Sequence, residues 1–555
     1  MKKIFSLFAC LAIAFIAQTL IAQTKINLDE DWKFHFGHAA NPEKDFNYGI
    51  ANIFSKSGAA LGTAIQTNFD DNNWQKINLP HDWAVALPFV DHKNFDVAQH
   101  GYKPVGGLFP ETSIGWYRKK ILINAADSGK RFELQFDGVF RNATVWVNGF
   151  FVGQNASGYI GVNYDITDVV QFDKENVIVV RVDATQYEGW FYEGAGIYRH
   201  VWLNIYDNLH IPAGGSFVYT NLTNNQATVF VETDIQNSYP QTTLCSISST
   251  LIGRDGKIIA TTVPQQLTLA AYQQQKNKQS IKITNPHLWN LQDPYLYRVT
   301  TTLKINQQIA HQQTTRIGIR TIRFDANEGV FLNGQYLKIL GTNNHQDHAG
   351  VGSALPDNLQ FYRIRLLKNM GVNAYRTSHH APTPELLDAC DSLGMLVLDE
   401  TRLLNSSIEN LQQFERLLKR DRNHPSVFLW SIGNEEGWIQ ANSTGKRIAQ
   451  TFIAKQHQLD PTRTCTYAAD LGNVYNGINE VIPIRSFNYR HNAVAEYHRD
   501  HPNQPILGTE MGSTVTTRGE YTKDETRAYV PDQDITAPWW ASTAEAWWKP
   551  AAENK

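Results

Sequence analysis

"SVFLWSIGNEEGW", residues Ser426 to Trp438, runs through a nearly unbroken apolar stretch and stops in Asn434, Glu435 and Glu436. A short run apolar on both faces reads as a strand buried on both sides, the habit of parallel sheets covered by helices. Two carboxylates at the end of such a strand require a reason, and the surrounding pattern supplies the context.

From about Phe324 onward the chain alternates between two periods. "YLKILGTNNH" reads as a strand and "PDNLQFYRIRLLKNMG" as a helix closed by Gly371. "VNAYRTSHH", "MLVLDETRL" and "SVFLWSIGNEE" are strands, each followed by a stretch of helical spacing. "RTCTYAAD", "VIPIRSFNYR" and "PILGTEMGS" are three more strands, with the helix "AVAEYHRDH" between the last two. Strands alternating with crossover helices mean a parallel sheet. Seven strand candidates predict a (β/α)8 TIM barrel that lacks its eighth strand.

Upstream the helical period disappears. "KRFELQFDGVFRNATVWVNGFFVGQNASGYIGVNYDIT" alternates apolar and polar residues, with Asn148-Gly149 as a turn. Residues 25–207 are expected to form a jelly-roll β-sandwich. Residues 208–323 carry closely spaced strands such as "QATVFVETDIQN" and "YLYRVTTTLKI", which suit an immunoglobulin-like sandwich. The barrel is assigned to residues 324–555.

A length of 555 residues exceeds what one core supports, in agreement with three domains. The net charge of −3 comes with no long basic run, so neither nucleic acid nor an anionic membrane surface is an expected partner. Residues 1–22 begin with Lys2 and Lys3, continue apolar, and end in small residues near Ala22. That is the pattern of a cleaved secretory signal, so a periplasmic or secreted location is expected, with no membrane span. The apolar stretch before Cys10 is too short for a lipid anchor to be the default. Cys245, Cys390 and Cys465 are scattered and odd in number, so no disulfide framework or zinc spacing is indicated.

The C-terminal ends of barrel strands converge on one face, where such folds carry their chemistry. Here those ends hold Asn343 and His345; Arg376, His379 and His380; Asp399 and Glu400; Asn434 and Glu435; Tyr489; and Glu510. Any one of these, taken alone, is an ordinary satisfied polar group. Together they line one mouth. Glu435 ends the fourth strand and Glu510 the seventh, on opposite sides of that mouth. Two facing carboxyls suit cleavage of a glycosidic bond, one as the acid for the leaving oxygen and one as an ionised nucleophile.

"DRNHPSVFLWSIGNE" resembles the acid/base signature of glycoside hydrolase family 2. "NAYRTSHHAP" resembles that family's other signature, and "PILGTEMGST" its nucleophile strand; "GWFYEGAGIYRHVWL" in the first sandwich is also similar. The resemblance covers the chain from about Asp31 and is nearest to bacterial β-galactosidases. It implies a retaining exo-glycosidase acting on terminal β-D-galactosides, with Glu435 as general acid/base and Glu510 as nucleophile. It further implies that Asn434 bonds the sugar 2-hydroxyl, Tyr489 donates toward Glu510, Arg376 pairs with Glu510, and His345 and His379 contact the sugar. The expected partner is a β-galactoside-containing glycan, and a homo-oligomer is compatible. β-Glucuronidase and β-mannosidase are alternatives on the same scaffold, as is a non-catalytic carbohydrate binder.

Three departures from the family pattern stand out. His380 occupies a place where tyrosine is common. The segment "DETRLLNSS" after the third strand lacks the histidine of a magnesium site, so neither a required metal nor any other cofactor is expected. The chain reaches Lys555 before the eighth strand, which in the family brings an aromatic wall to the sugar. Trp539, Trp540, Trp547 and Trp548 near this end are expected to pack against the seventh helix and its loop rather than to stack on sugar.

Overall fold

The computed structural model describes residues 23–49, 58, 61–90, 103–189, 191–514, 516–524, 527, 529 and 542–553. The signal segment at residues 1–22, and Trp539 and Trp540, lie outside the described residues.

The first unit packs a four-stranded against a six-stranded sheet, with antiparallel pairing throughout. Strand Arg131–Phe136 shows the mechanism, because its residues alternate between half-buried and buried. The apolar residues face the other sheet, as a two-layer sandwich requires. The second unit is a smaller sandwich of two antiparallel sheets, built around Gln226–Asn237 and Thr243–Ile252. Both of these strands also alternate in burial.

A three-stranded antiparallel sheet, Ile322–Asp325, Gly329–Leu332 and Gln335–Leu337, leads into the barrel. Phe324 stacks on Phe428 at the start of the fourth barrel strand, with ring centroids 6.0 Å apart. The barrel strands are β1 Gly341–Asn344, β2 Ala374–Thr377, β3 Leu396–Glu400, β4 Val427–Asn434, β5 Cys465–Ala469, β6 Ile484–Asn488 and β7 Ile506–Glu510. They pair in chain order, all parallel. β2 to β6 are buried along their whole length, which is why their sequences read as continuous rather than alternating apolar runs.

The crossover helices are α1 Asp357–Asn369, α2 Pro384–Leu393, α3 Ile408–Asp421, α4 Ser443–Leu459 and α5 Val494–Asp500, with α6 Ala544–Glu553 after β7. Their ends are locally encoded. Asn442 caps α4 by accepting from the backbone of Thr444 and Gly445. Pro384 opens α2, and Gly394 ends it at a φ of 74° that a side chain would resist. No helix among the described residues is long and apolar enough to cross a membrane. Cys245, Cys390 and Cys465 are free and buried.

The barrel is therefore seven-stranded among the described residues, and no hydrogen-bonded ladder joins β1 to β7. One expected strand divides differently. The stretch Tyr336–His345 splits in two, its first part belonging to the entry sheet and only Gly341–Asn344 to the barrel. Asn373 causes the break. Its amide takes the carbonyl of Lys338 at 2.8 Å and its side-chain oxygen takes the amide of Leu340 at 2.8 Å, so the linker is bonded to a side chain instead of a ladder.

The first sandwich is clamped onto the barrel through buried polar groups. Asp82 accepts from the backbone amides of Ala84, Ala195 and Ser353 at 3.0 Å each, and from the hydroxyls of Tyr192 and Ser353. Arg199 donates to the carbonyls of Ala381 at 2.8 Å and Pro382 at 3.2 Å, just beyond β2. The second unit contributes Trp289, whose indole donates to the carbonyl of Asp391 at 2.9 Å.

Candidate active site

Arg376, at the end of β2, organises the mouth of the barrel. It is buried and reaches the ends of four other strands. Nε and Nη2 meet the Glu400 carboxylate at 3.0 and 2.8 Å, and Nη2 also donates to Asn434 Oδ1 at 2.8 Å. Nη1 donates to Asn343 Oδ1 at 3.1 Å and to Glu510 Oε2 at 3.0 Å. A planar guanidinium with five fixed donors is the side chain suited to tying four strand ends together.

Glu400 ends β3 and is fully buried. It accepts from Arg376, from Ser431 at 2.7 Å, and is joined to His379 Nδ1 at 2.8 Å. Burial opposes its charge, but the Arg376 guanidinium prevails and holds the carboxyl down to about 2. The same burial lowers the basicity of His379, although Glu400 works against that. Glu400 thus serves as a counterion to Arg376.

Glu510 collects three donors: Arg376, the Tyr489 hydroxyl on Oε1, and the Asn488 amide, 3.4 Å from Oε2. Glu435 stands across from it. Burial, reinforced by the negative charge of Glu510, pushes its carboxyl up to about 7, while a 2.8 Å bond from Asn488 Nδ2 pulls the other way. Asn488 Nδ2 thus touches both carboxylates and also reaches Asn434 Oδ1 at 3.0 Å. Its own oxygen is held by Thr509 at 2.7 Å, which fixes the orientation of the amide. The two carboxyls therefore differ in surroundings while sharing a donor. Glu435 and Tyr489 both hold left-handed backbone conformations, with φ of 51° and 57°, of the sort concentrated at functional sites.

The structure brings Glu435, Glu510, Arg376, His379, Asn434 and Tyr489 into one connected cluster. Buried Asn434 Nδ2 has no protein partner, leaving a donor for a ligand. His345 stands at the edge, its Nδ1 2.9 Å from the Ser378 carbonyl oxygen. Its ring stacks on Phe191 of the first sandwich at 4.6 Å, a contribution that strand-end patterning within the barrel could not reveal. His380 is buried behind, stacked on Tyr159 of the same sandwich. Glu436 turns away, accepting from the backbone amides of Leu404 and Asn434.

These groups face a cavity of about 2120 Å³, whose wall includes Glu435, Glu510, His345, Tyr489 and Trp547. Trp547 packs against Tyr489 and donates to the carbonyl of Ser513 at 2.8 Å, whereas Trp548 is exposed. Two groups could in principle bring three ligand atoms around an ion, namely His200, Asp357 and Glu385, and Asp388, Asp391 and His424. Both are organised as ion pairs, His200 with Asp29 and Asp357, and His424 with Asp391, and neither includes a residue of the catalytic cluster.

Comparison with known proteins places this geometry. Residues 64–206 match the sugar binding domain of glycosyl hydrolases family 2, residues 210–320 the domain described by the family name alone, and residues 325–411 and 404–533 its TIM barrel domain. Beta-galactosidase BoGH2A of Bacteroides ovatus is 31% identical over 550 residues, covering 91% of this chain and 61% of the relative. A beta-glucuronidase of Formosa agariphila is 28% identical, covering 86% of this chain and 50% of the relative. The crystal structure of a glycosyl hydrolase family 2 member from Bacteroides cellulosilyticus superposes with a TM-score of 0.76 at 31% identity, over 87% of this chain and 63% of that one. The chain thus spans roughly half to two-thirds of the length of these relatives.

Proposed function

The chain belongs to glycosyl hydrolase family 2, and we propose that it is a retaining exo-glycosidase that releases terminal β-D-galactosyl residues. The observation that carries this reading is the pair Glu435 and Glu510, joined by one amide, with burial raising the Glu435 carboxyl while three donors converge on Glu510. A carboxyl lifted to about 7 keeps its proton through much of the neutral range and can give it to a leaving oxygen. A carboxylate held by Arg376, Tyr489 and Asn488 is fixed for attack.

In the first step Glu510 attacks the anomeric carbon while Glu435 protonates the departing glycosidic oxygen, leaving a glycosyl ester on Glu510. In the second, Glu435, now a carboxylate, takes a proton from water as that water attacks the same carbon and frees Glu510. Arg376 and Tyr489 shed and regain their ionic partner in each cycle. Asn434 Nδ2 supplies the donor for the sugar hydroxyl beside the reacting carbon.

Relatives carry both galactosidase and glucuronidase names, so the choice of sugar rests on the cavity. A uronic acid calls for a cation to meet its carboxylate. Among the described residues of the cavity wall the only arginine is Arg376, which is committed to Glu400 and Glu510, and the only lysine is Lys338, which precedes β1 at the end of the barrel remote from the two carboxyls. This favours a neutral galactoside. The basic and apolar leader supports export to the periplasm or beyond.

The test compares hydrolysis of aryl β-D-galactoside, β-D-glucuronide and β-D-mannoside by the chain. The galactoside should be fastest. A faster glucuronide would replace galactose as the substrate, and saturable galactose binding with no hydrolysis would make the chain a carbohydrate binder.

A further inference from the structure

Three residues past Glu435 stands Trp438, 95% exposed; no large apolar side chain among the described residues is more so. Lone exposed apolar residues are ordinary on protein surfaces. Trp438 differs in what holds it and in where it stands. Its turn is pinned on every side. Glu436 carbonyl accepts from the amides of Ile439 at 2.9 Å and Gln440 at 3.1 Å, and the amide of Glu436 donates to the Tyr467 hydroxyl at 2.7 Å. The carbonyl of Trp438 itself accepts from the Asn442 side chain at 2.8 Å. Gln440 is anchored to Asp470 at 2.8 Å. A held backbone thus presents a bare indole to solvent, and a ligand stacking on it need order only the two torsions of one side chain.

Its position specifies the ligand. Three residues span at most roughly 11 Å, so the backbone of Trp438 stands within that distance of Glu435, just past the C-terminal end of β4. Glu435 lines the cavity and Trp438 does not. In an exo-acting enzyme the terminal sugar sits at the two carboxyls and everything beyond the cleaved oxygen projects past the acid. An indole face there meets the leaving group.

We propose that Trp438 is the stacking platform for the leaving-group side of the substrate, and that this leaving group is a second sugar ring with a flat C–H face. The proposal rests on the glycosidase reading above. It assigns the natural substrate to β-linked oligosaccharides rather than to galactosides of small alkyl or phosphate groups.

The experiment compares the wild type, Trp438→Ala and Trp438→Phe on two substrates, β-galactosyl fluoride, which has no ring to stack, and a β-galactosyl disaccharide. Trp438→Ala should lower kcat/KM on the disaccharide by about tenfold, chiefly through KM, and leave the fluoride within about twofold. Trp438→Phe should recover most of the loss. Equal losses on both substrates, or none on either, would overturn the proposal while leaving the glycosidase reading in place. A wild type that cannot hydrolyse the fluoride would remove that reading and this one together. Trp438→Ala that dissociates a dimer in sedimentation, without discriminating between substrates, would assign the indole to an interface between copies and overturn the proposal as well.

Discussion

Glu435 and Glu510 share one hydrogen-bond donor, the Asn488 amide, at 2.8 and 3.4 Å. That donor restrains the upward push of burial on Glu435. Asn488→Ala should therefore raise the Glu435 pKa further and move the alkaline limb of kcat/KM to higher pH, by up to about one unit for one hydrogen bond. A limb that moves to lower pH would contradict this account of the site.

The roles of the pair should separate by leaving group. Glu510→Gln should abolish accumulation of a glycosyl-enzyme, read by mass spectrometry after a rapid quench. Glu435→Ala should slow hydrolysis of poor leaving groups by roughly 10²–10⁴-fold and spare good ones, since these need little acid assistance. Full activity of Glu435→Ala on an alkyl galactoside would remove Glu435 from the mechanism.

The pH profile follows from the direction of the Glu435 shift. The acid works when protonated, and burial lifts its pKa to about 7. Activity should be sustained below that value and fall as pH rises through it. In Glu435→Ala, assayed on an activated aryl galactoside, the alkaline limb should vanish.

Arg376 and Glu400 should dominate stability at the mouth. Arg376→Met strands a fully buried carboxylate and should cost about 3–5 kcal/mol in urea unfolding. Glu400 is held at about 2 in the folded chain against an ordinary 4.5, so its contribution is present above 4.5 and is lost as pH falls toward 2. Glu400→Gln should be less stable at neutral pH and show a flatter loss of Tm through that acid window. An unchanged acid slope would mean that the ion pair does not set it.

Asp82 should matter to catalysis from a distance. Asp82→Ala leaves three backbone amides and the Tyr192 hydroxyl without their acceptor, while the Ser353 hydroxyl keeps the Glu193 carbonyl, at roughly 1–3 kcal/mol for each one that stays buried. Calorimetry should show a lowered Tm. KM should rise, because the sandwich that carries Phe191 would no longer be held against His345. A lowered Tm with unchanged KM would limit Asp82 to stability.

Periodicity made the three-domain order and the seven barrel strands legible, because a chain must change from period two to alternating strands and helices where the sandwiches end. The strand ends also pointed to the right face for Glu435, Glu510 and Arg376. Glu400 was harder to place. From its neighbours in the chain it was one polar residue among several at the strand ends, and only the register of β2 beside β3 brings it under a guanidinium. Asn488 stood beside Tyr489 in "SFNY" without distinction, because an amide that bridges two distant strand ends leaves no local trace. Phe191 comes from another domain, and nothing in the spacing of its own sandwich announces that it meets a barrel histidine.

The two carboxyls are held in mechanically different ways. Among the described residues β7 is laddered to β6 alone, whereas the strand that positions Glu435 is flanked on both sides. Even the β6–β7 pairing slips register between Phe487 and Asn488, next to Glu510. The general acid is thus built into the sheet, while the nucleophile is moored to it by Arg376, Tyr489 and Asn488. Forming the glycosyl ester removes the charge that two of those moorings grip. Glu510 would then be held least firmly in the covalent intermediate, so its mobility would enter the rate at release of the sugar rather than at cleavage of the glycosidic bond.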